Sequence, residues 1–478
     1  MNNNVKKMQK DNNLVKPFRK FILFGYYLRT KDQVKFDFWL KENELLKDKF
    51  EKCIVIDNSV DGELELDQPD WETYRLNKLL CSNKWTMKNA LFGIWAVGVL
   101  LPQHRKAITV AMRWENSIIR NVAKGSLIKG IYLRAKALSG LGQLFRITRT
   151  IDFNDRDFLV LTGVSSTAEI LRSLAKKNNC QTVVTEYGEL PNSIMVSEGE
   201  MFHLSWPSLD AAIFEQFPIS EQEVIEAARL VNEMANGGER QRASKQKELS
   251  EDLKEKLKNE TVIYVNGIHE FASGLEPRTS ERSQLFSPTF ASNKELLDKV
   301  TEFAVRNGWK VVYKDHPYFS KAYHSAITSQ SVHQNVLVLK DTDIHEILDV
   351  SDVMVSLGSK SIITALAKGV PVCLVGPFTI PKGSITPGIV ETNDLEAGIK
   401  TLLEKKKGER VNMKQFHTYV ARLRKYYLYS LTGNSELGTK TSEQLWGDLS
   451  DFMAGRRTRV SIPDDILLHI DKNLSNTE

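Results

Sequence analysis

The chain has 478 residues, of which 26% are charged and 41% hydrophobic, and a net charge of +5. That is a globular composition, and the length exceeds what one core holds, so two domains are expected. Four cysteines without C-x-x-C spacing (Cys53, Cys81, Cys180, Cys373) argue against a zinc site or a disulfide framework, and the longest apolar run, 12 residues at 90–101, falls short of the ~20 that span a bilayer.

Residues 1–17, with five Asn and four Lys, read as a disordered basic tail. FILFGYYL (21–28) follows basic residues but lacks a small-residue cleavage site, so it reads as a first strand and not a signal peptide. DQVKFDFWLKENELLKDKFEK (32–52) reads as a helix, CIVIDN (53–58) as a second strand and DGELELDQPDWET (61–73) as a turn-rich loop. Residues 85–101 read as a buried helix with Trp85 and Trp95 in the core, and AITVAM (107–112) as a short strand.

Charge is unevenly spread: residues 1–20 carry +5 and residues 105–149 carry +9, which leaves −9 elsewhere. In IIRNVAKGSLIKGIYLRAKAL (118–138) basic and apolar residues alternate. The pattern fits an interfacial amphipathic helix facing an anionic surface, and equally a half-buried helix with a basic rim. FLVLTG (158–163) is a strand, Ser165 and Ser166 follow, TAEILRSLAKK (167–177) is a helix and TVVTEYG (182–188) the next strand. Ser220 and Glu223 form a capping box for a helix that ends at Gly237 and Gly238.

The segment 239–260 is charged and helix-prone, a connector. TVIYVN (261–266) opens a second strand–helix series, with Ser292 and Glu295 as a further capping box. VVY, VLVL, VMVS and PVCLV between 311 and 375 read as buried parallel strands, with HEILDV and SKSIITALAKG as helices. In open α/β sheets ligands sit beyond the carboxyl ends of strands. There the sequence places Lys314-Asp315-His316-Pro317 and Ser356-Leu357-Gly358-Ser359-Lys360-Ser361. Serine hydroxyls and free amides at a helix start suit a phosphate, and a serine N-cap without ligand is the plainer alternative. DTD (341–343) reads as a helix N-cap. Residues 394–405 form an amphipathic helix, and FHTYVARLRKYYLYSL (416–431) is helical with packing aromatics.

Lys-x-His-Pro, a strand ending in Ser, and A-L-x-x-G-x-P-V-x-x-x-G-P-F (365–378) together resemble bacterial capsule polysaccharide glycosyltransferases of the Kdo transferase type, and more distantly bacterial sialyl- and polysialyltransferases. Thr364 stands where capsule relatives often carry Glu. Glu186, Gly188 and Pro191 resemble the acidic E-x-G-x-x-x-P motif of that family with a shorter spacing. The resemblance implies a GT-B-like α/β fold: two facing Rossmann-like domains, a cleft between them, and C-terminal helices crossing back. The domains are then 18–238 on the acceptor side, 261–410 for the nucleotide sugar, and 411–478 packing on the first.

The resemblance further implies a metal-independent glycosyltransferase without cofactor that moves an acidic sugar from a CMP-linked donor. The acceptor is lipid-linked or an oligosaccharide, in capsule or lipopolysaccharide synthesis. Lys314, His316, Pro317, Ser356, Gly358, Ser359, Ser361 and Thr364 hold the nucleotide, with His316 also catalytic. Glu186, with Glu189 second, is the acceptor-side carboxylate. His203, Ser205 and Trp206 line the cleft. Arg120, Lys124, Lys129, Arg134 and Lys136 face the acceptor or an anionic membrane, so the enzyme is expected on the inner face of the cytoplasmic membrane, with no nucleic acid partner. Two alternatives remain open: a non-transferase sugar-nucleotide enzyme such as an epimerase or hydrolase, and a non-catalytic protein binding polyanions or membranes.

Overall fold

A computed structural model describes residues 18–25, 38–39, 43–57, 70–76, 80–123, 125–162, 165–198, 214–237, 247–267, 290, 293–314, 333–339, 342–357, 359–375, 389–391, 394–432 and 438–468. The basic tail, Lys124, residues 203–206, Ser292, His316, Pro317, Gly358 and residues 376–378 lie outside this set.

The first half supplies β1 (Phe18–Gly25), α1 (Asn43–Lys49), β2 (Phe50–Asp57), β3 (Trp71–Arg75), α2 (Met87–Ala123), α3 (Leu127–Ile151), β4 (Asp157–Thr162), α4 (Ser166–Lys177), β5 (Gln181–Tyr187), β6 (Ser193–Ser197) and α5 (Glu221–Ala235). The second supplies α6 (Glu251–Leu257), β7 (Val262–Asn266), α7 (Asn293–Asn307), β8 (Lys310–Lys314), β9 (Val336–Leu339), α8 (Ile344–Asp349), β10 (Val353–Ser356), α9 (Ser361–Ala367), β11 (Val372–Leu374), β12 (Ile389–Glu391) and α10 (Leu395–Leu403). The chain continues through α11 (Met413–Arg422), β13 (Leu428–Ser430) and α12 (Ser442–Met453).

Two open α/β sheets result. The first runs β13-β6-β5-β4-β1-β2-β3, and the second β12-β11-β10-β7-β8-β9. Every pairing in the second is parallel, and its order is that of a doubly wound dinucleotide-binding fold, with the order reversing between β7 and β10. The first sheet follows the same order through β5, then adds β6 and β13 antiparallel. This is the GT-B-like architecture expected from the sequence. Strands β1, β4 and β7 are buried over nearly their whole length because helices cover both faces, which is why they read as continuous apolar runs.

The C-terminal segment returns to the first sheet, as expected, but as a strand as well as helices. The helix expected over 416–431 widens into a π turn at 423–427, and Leu428 then pairs with Met195 of β6. One continuous core joins both halves: Leu190, Met195 and Phe214 from the first, Val262 and Ile362 from the second, and Phe416 and Tyr419 from α11.

The basic stretch is not one helix. Gly125, at φ 83°, turns the chain between α2 and α3, and Ser126 caps α3. The two helices lie so close that a Cβ on Gly93 would overlap the Leu138 carbonyl, and one on Gly142 the Asn89 carbonyl. Residues 107–112, expected as a strand, sit inside α2: flanking helix formers and packing of Ile108 and Ala111 into the core override β-branched preference. Trp85 and Trp95, expected in the core, are 42% and 46% exposed: Trp85 precedes the helix, and around Trp95 the apolar run is only partly covered, with Leu91 and Ile94 60% and 58% exposed. The helix expected over 32–52 ends at Lys49, where β2 begins, and residues 71–73 of the expected loop are already strand β3. β9 is an edge strand and only half-buried.

Candidate functional site

Three polar side chains lie in register across the carboxyl ends of β8, β7 and β10: Lys314, Asn266 and Ser356. They flank the point where the strand order reverses, where a crevice forms in such sheets. All three are buried, and Asn266 accepts a hydrogen bond from the Tyr264 hydroxyl at 2.8 Å. The Gly267 amide donates to the Lys314 carbonyl at 3.0 Å, and a Cβ at Gly267 would come within 2.6 Å of the Tyr313 hydroxyl, so the backbone passes β8 this closely only without a side chain. Asn266 was not singled out from the sequence. Its signal was a polar residue ending the apolar run TVIYVN.

Beyond β10 the serine loop leads into α9. Ser359 Oγ accepts from the Ser361 hydroxyl at 2.8 Å and from the Ser361 amide at 3.3 Å. Lys360 is in helical conformation and makes no side-chain cap, so the cap of this turn is Ser359, as in the plainer alternative read from the sequence. Ser361 and Thr364, three apart on α9, share its half-exposed face.

On the other side Glu186 is half-exposed at the carboxyl end of β5, opposite Met195 of β6. One of its carboxylate oxygens accepts from the Tyr187 amide at 2.9 Å. Glu189 differs: it is 4% exposed and lies against α11, where its charge and, more strongly, burial push the Tyr419 phenol well above its usual range. Of the two candidate carboxylates, Glu186 is the one with access to solvent. Gly188 has no room for a Cβ, which would overlap Ser193 Oγ, and its amide donates to the Ser193 carbonyl at 2.8 Å. Pro191 is buried in the turn between β5 and β6.

The two sides meet. The Lys360 ammonium donates to the Tyr187 carbonyl, and lies 5.8 Å from the centre of the Tyr187 ring. The serine loop of the second sheet and the residue after Glu186 in the first are therefore in direct contact. Lys360 was not among the sequence candidates, though it lies inside their motif.

The other basic candidates lie on the α2–α3 hairpin. Arg120, Lys129 and Arg134 are exposed, Arg134 donating to Asn116 Oδ1 at 3.3 Å, and Lys136 sits 5.9 Å from the Tyr132 ring centre. Apolar side chains accompany them around the turn: Leu127, Ile128, Ile131 and Tyr132 are 72%, 83%, 56% and 56% exposed. The sole carboxylate of 105–149, Glu115, is buried and accepts from the Leu80 and Cys81 amides at 2.9 and 3.1 Å and from the Ser166 hydroxyl. It ties α2 to α4 and leaves the outer face purely cationic. No helix among the described residues is long and apolar enough to cross a membrane. No group of three or more His, Cys, Asp or Glu among them is placed to hold a metal ion.

No protein-family model matches this chain, and no curated protein does. Solved structures similar to it include a Thermosulfurimonas dismutans KpsC β-Kdo 2,7-transferase (16% identity, 65% of this chain and 89% of that one, TM-score 0.38). A Rickettsia africae glycosyltransferase is also similar (14% identity, 85% and 93% coverage, TM-score 0.32). So is the Methanocaldococcus jannaschii UDP-GlcNAc 2-epimerase in complex with UDP-GlcNAc and UDP (12% identity, 84% and 98% coverage, TM-score 0.33).

Proposed function

We propose that the protein is a glycosyltransferase that moves an acidic sugar, of Kdo or sialic acid type, from a CMP-linked donor to a lipid-linked or oligosaccharide acceptor of a bacterial surface polysaccharide. The observation that supports this reading is the contact between Lys360 and Tyr187, which brings the serine loop of the second sheet next to the residue that follows the half-exposed Glu186. A donor lying beyond β7 and β10 has its phosphate near Ser359 and Ser361 and its anomeric carbon toward Glu186.

In this reading Glu186 takes the proton of the acceptor hydroxyl, whose oxygen bonds to the anomeric carbon. The bond from that carbon to the phosphate oxygen breaks, and its electron pair leaves with CMP. Lys314, His316 and the serine hydroxyls stabilise the negative charge that develops on the departing phosphate. The cationic, apolar-tipped hairpin suits attachment to an anionic bilayer, the inner face of the cytoplasmic membrane, where a lipid-linked acceptor is made.

The test is transfer from CMP-Kdo and CMP-sialic acid to cell-derived glycolipid, with wild type and Glu186→Gln. Wild type should transfer one of the two sugars. The variant should bind CMP as tightly and lose turnover, since it keeps shape and loses the proton acceptor. Turnover by the variant at the wild-type rate would remove Glu186 from the chemistry.

A further inference from the structure

A cavity of about 980 Å³ lies away from Glu186, between edge strand β3, the first turns of α2 and the last turns of α3. Its size is that of a ligand site. Arg75, Lys88, Arg146 and Arg149 line it, and no acidic residue does among the described residues. Arg75 has a counter-charge in the buried Asp57, 3.7 Å away. Lys88, Arg146 and Arg149 make no ion pair among the described residues; Arg146 is held by Asn89 Oδ1 at 3.0 Å. Three such cations around one concavity repel each other unless an anion joins them.

The wall between them is aromatic. Trp95 stacks on Phe92 with ring centres 4.9 Å apart and planes 29° apart, and the Arg149 guanidinium lies 5.8 Å from the Trp95 ring centre. A half-exposed indole, stacked on Phe92 and approached by the Arg149 guanidinium, offers a flat apolar platform beside an anion site.

Register fixes its distance from Glu186. Arg75, Asp57, Gly25, Thr162 and Thr185 stand level across β3, β2, β1, β4 and β5. Four strand spacings of ~4.8 Å place Arg75 roughly 19 Å from Thr185, the neighbour of Glu186. A ligand in this cavity touches the reacting atoms only if it is extended.

We propose that this cavity holds the non-reacting, anionic part of an extended acceptor: a phosphate or carboxylate carried on a sugar or prenyl chain that rests on Trp95. That this ligand is an acceptor rests on the transferase reading; its binding does not. Calorimetric titration with farnesyl phosphate and, separately, a heparin tetrasaccharide tests it on wild type, Arg146→Gln/Arg149→Gln and Trp95→Ala. At least one probe should bind wild type. Its affinity should fall tenfold or more in both variants, while CMP binding and the melting temperature stay as in wild type. Binding of farnesyl phosphate identifies a prenyl phosphate source, binding of the tetrasaccharide an acidic glycan, and binding of both the anion chemistry they share. If the double variant unfolds, Lys88→Gln, at an exposed position, should show the same loss. Failure of both probes on wild type, or variants that bind as wild type does, overturns the proposal. Failure of CMP binding alone would sink the transferase reading and leave this cavity standing.

Discussion

Lys360→Met keeps an unbranched side chain one atom shorter and removes the charge that links the serine loop to Tyr187. A hydrogen bond from a charged group contributes about 1.5–3 kcal/mol. The approach to the Tyr187 ring adds about 0.5–1 kcal/mol where partly exposed. Lys360 is half-buried, and water replaces some of this in the variant, so the loss should be about 2 kcal/mol, or roughly 30-fold at about 1.4 kcal/mol per decade. On the proposed reading, in which Lys360 holds the serine loop beside Glu186, the loss should appear in kcat/KM for transfer from a CMP-linked donor. CMP affinity, read by calorimetry, should hardly move. An unchanged kcat/KM would refute the bridging role. A fall in CMP affinity equal to that in kcat/KM would refute it as well, by placing Lys360 on the phosphate.

Two further outcomes follow from the hairpin. Vesicles of anionic lipid should bind the protein and neutral ones should not, with each basic residue near the surface contributing about 1 kcal/mol. Replacing Arg120, Lys129, Arg134 and Lys136 by Gln should remove the salt-sensitive part, and Ile128→Asn the part that persists at high salt; sedimentation in low and high salt separates them. His104, at the non-helical kink of α2, is buried, its Nδ1 3.0 Å from Ser173 Oγ, and burial lowers its pKa below 6.5, helped by Lys177. A lowered folded pKa means the unfolded chain takes up the proton first, so this stability is present above about pH 6.5 and is lost as pH falls. The melting temperature of wild type should therefore drop more steeply between pH 7.5 and pH 5 than that of His104→Gln; parallel curves would contradict it.

Strands β4, β7, β8 and β10 were legible because both faces of the sheets are covered: each is an apolar run that ends in a polar residue. The serine loop was legible for the same reason, as a polar break between a strand and a helix. β3 was not, since WETYR is short, alternating and at the edge, directly after a segment rich in Gly, Asp and Pro. The strand expected at 107–112 shows that β-branched residues carry little information inside a long helix whose partner supplies the packing. Burial of Trp95 could not be judged from its apolar neighbours, because coverage depends on where α3 lies. Glu186 and Glu189 are three apart and alike in sequence; only the return of α11 onto the β5–β6 turn separates them, and that contact is more than 200 residues distant. Lys360 was hidden for a similar reason, since its partner lies 173 positions away.

The proposed CMP-linked donor, held by the serine loop, is open to calorimetric titration of the protein with CMP, UDP and GDP, repeated on Ser359→Ala. CMP should bind more tightly than the other two, and the variant should lose about 0.5–1.5 kcal/mol of that affinity, as for a neutral hydrogen bond removed. Binding of no nucleotide, tighter binding of UDP or GDP, or equal CMP affinity in Ser359→Ala would contradict it.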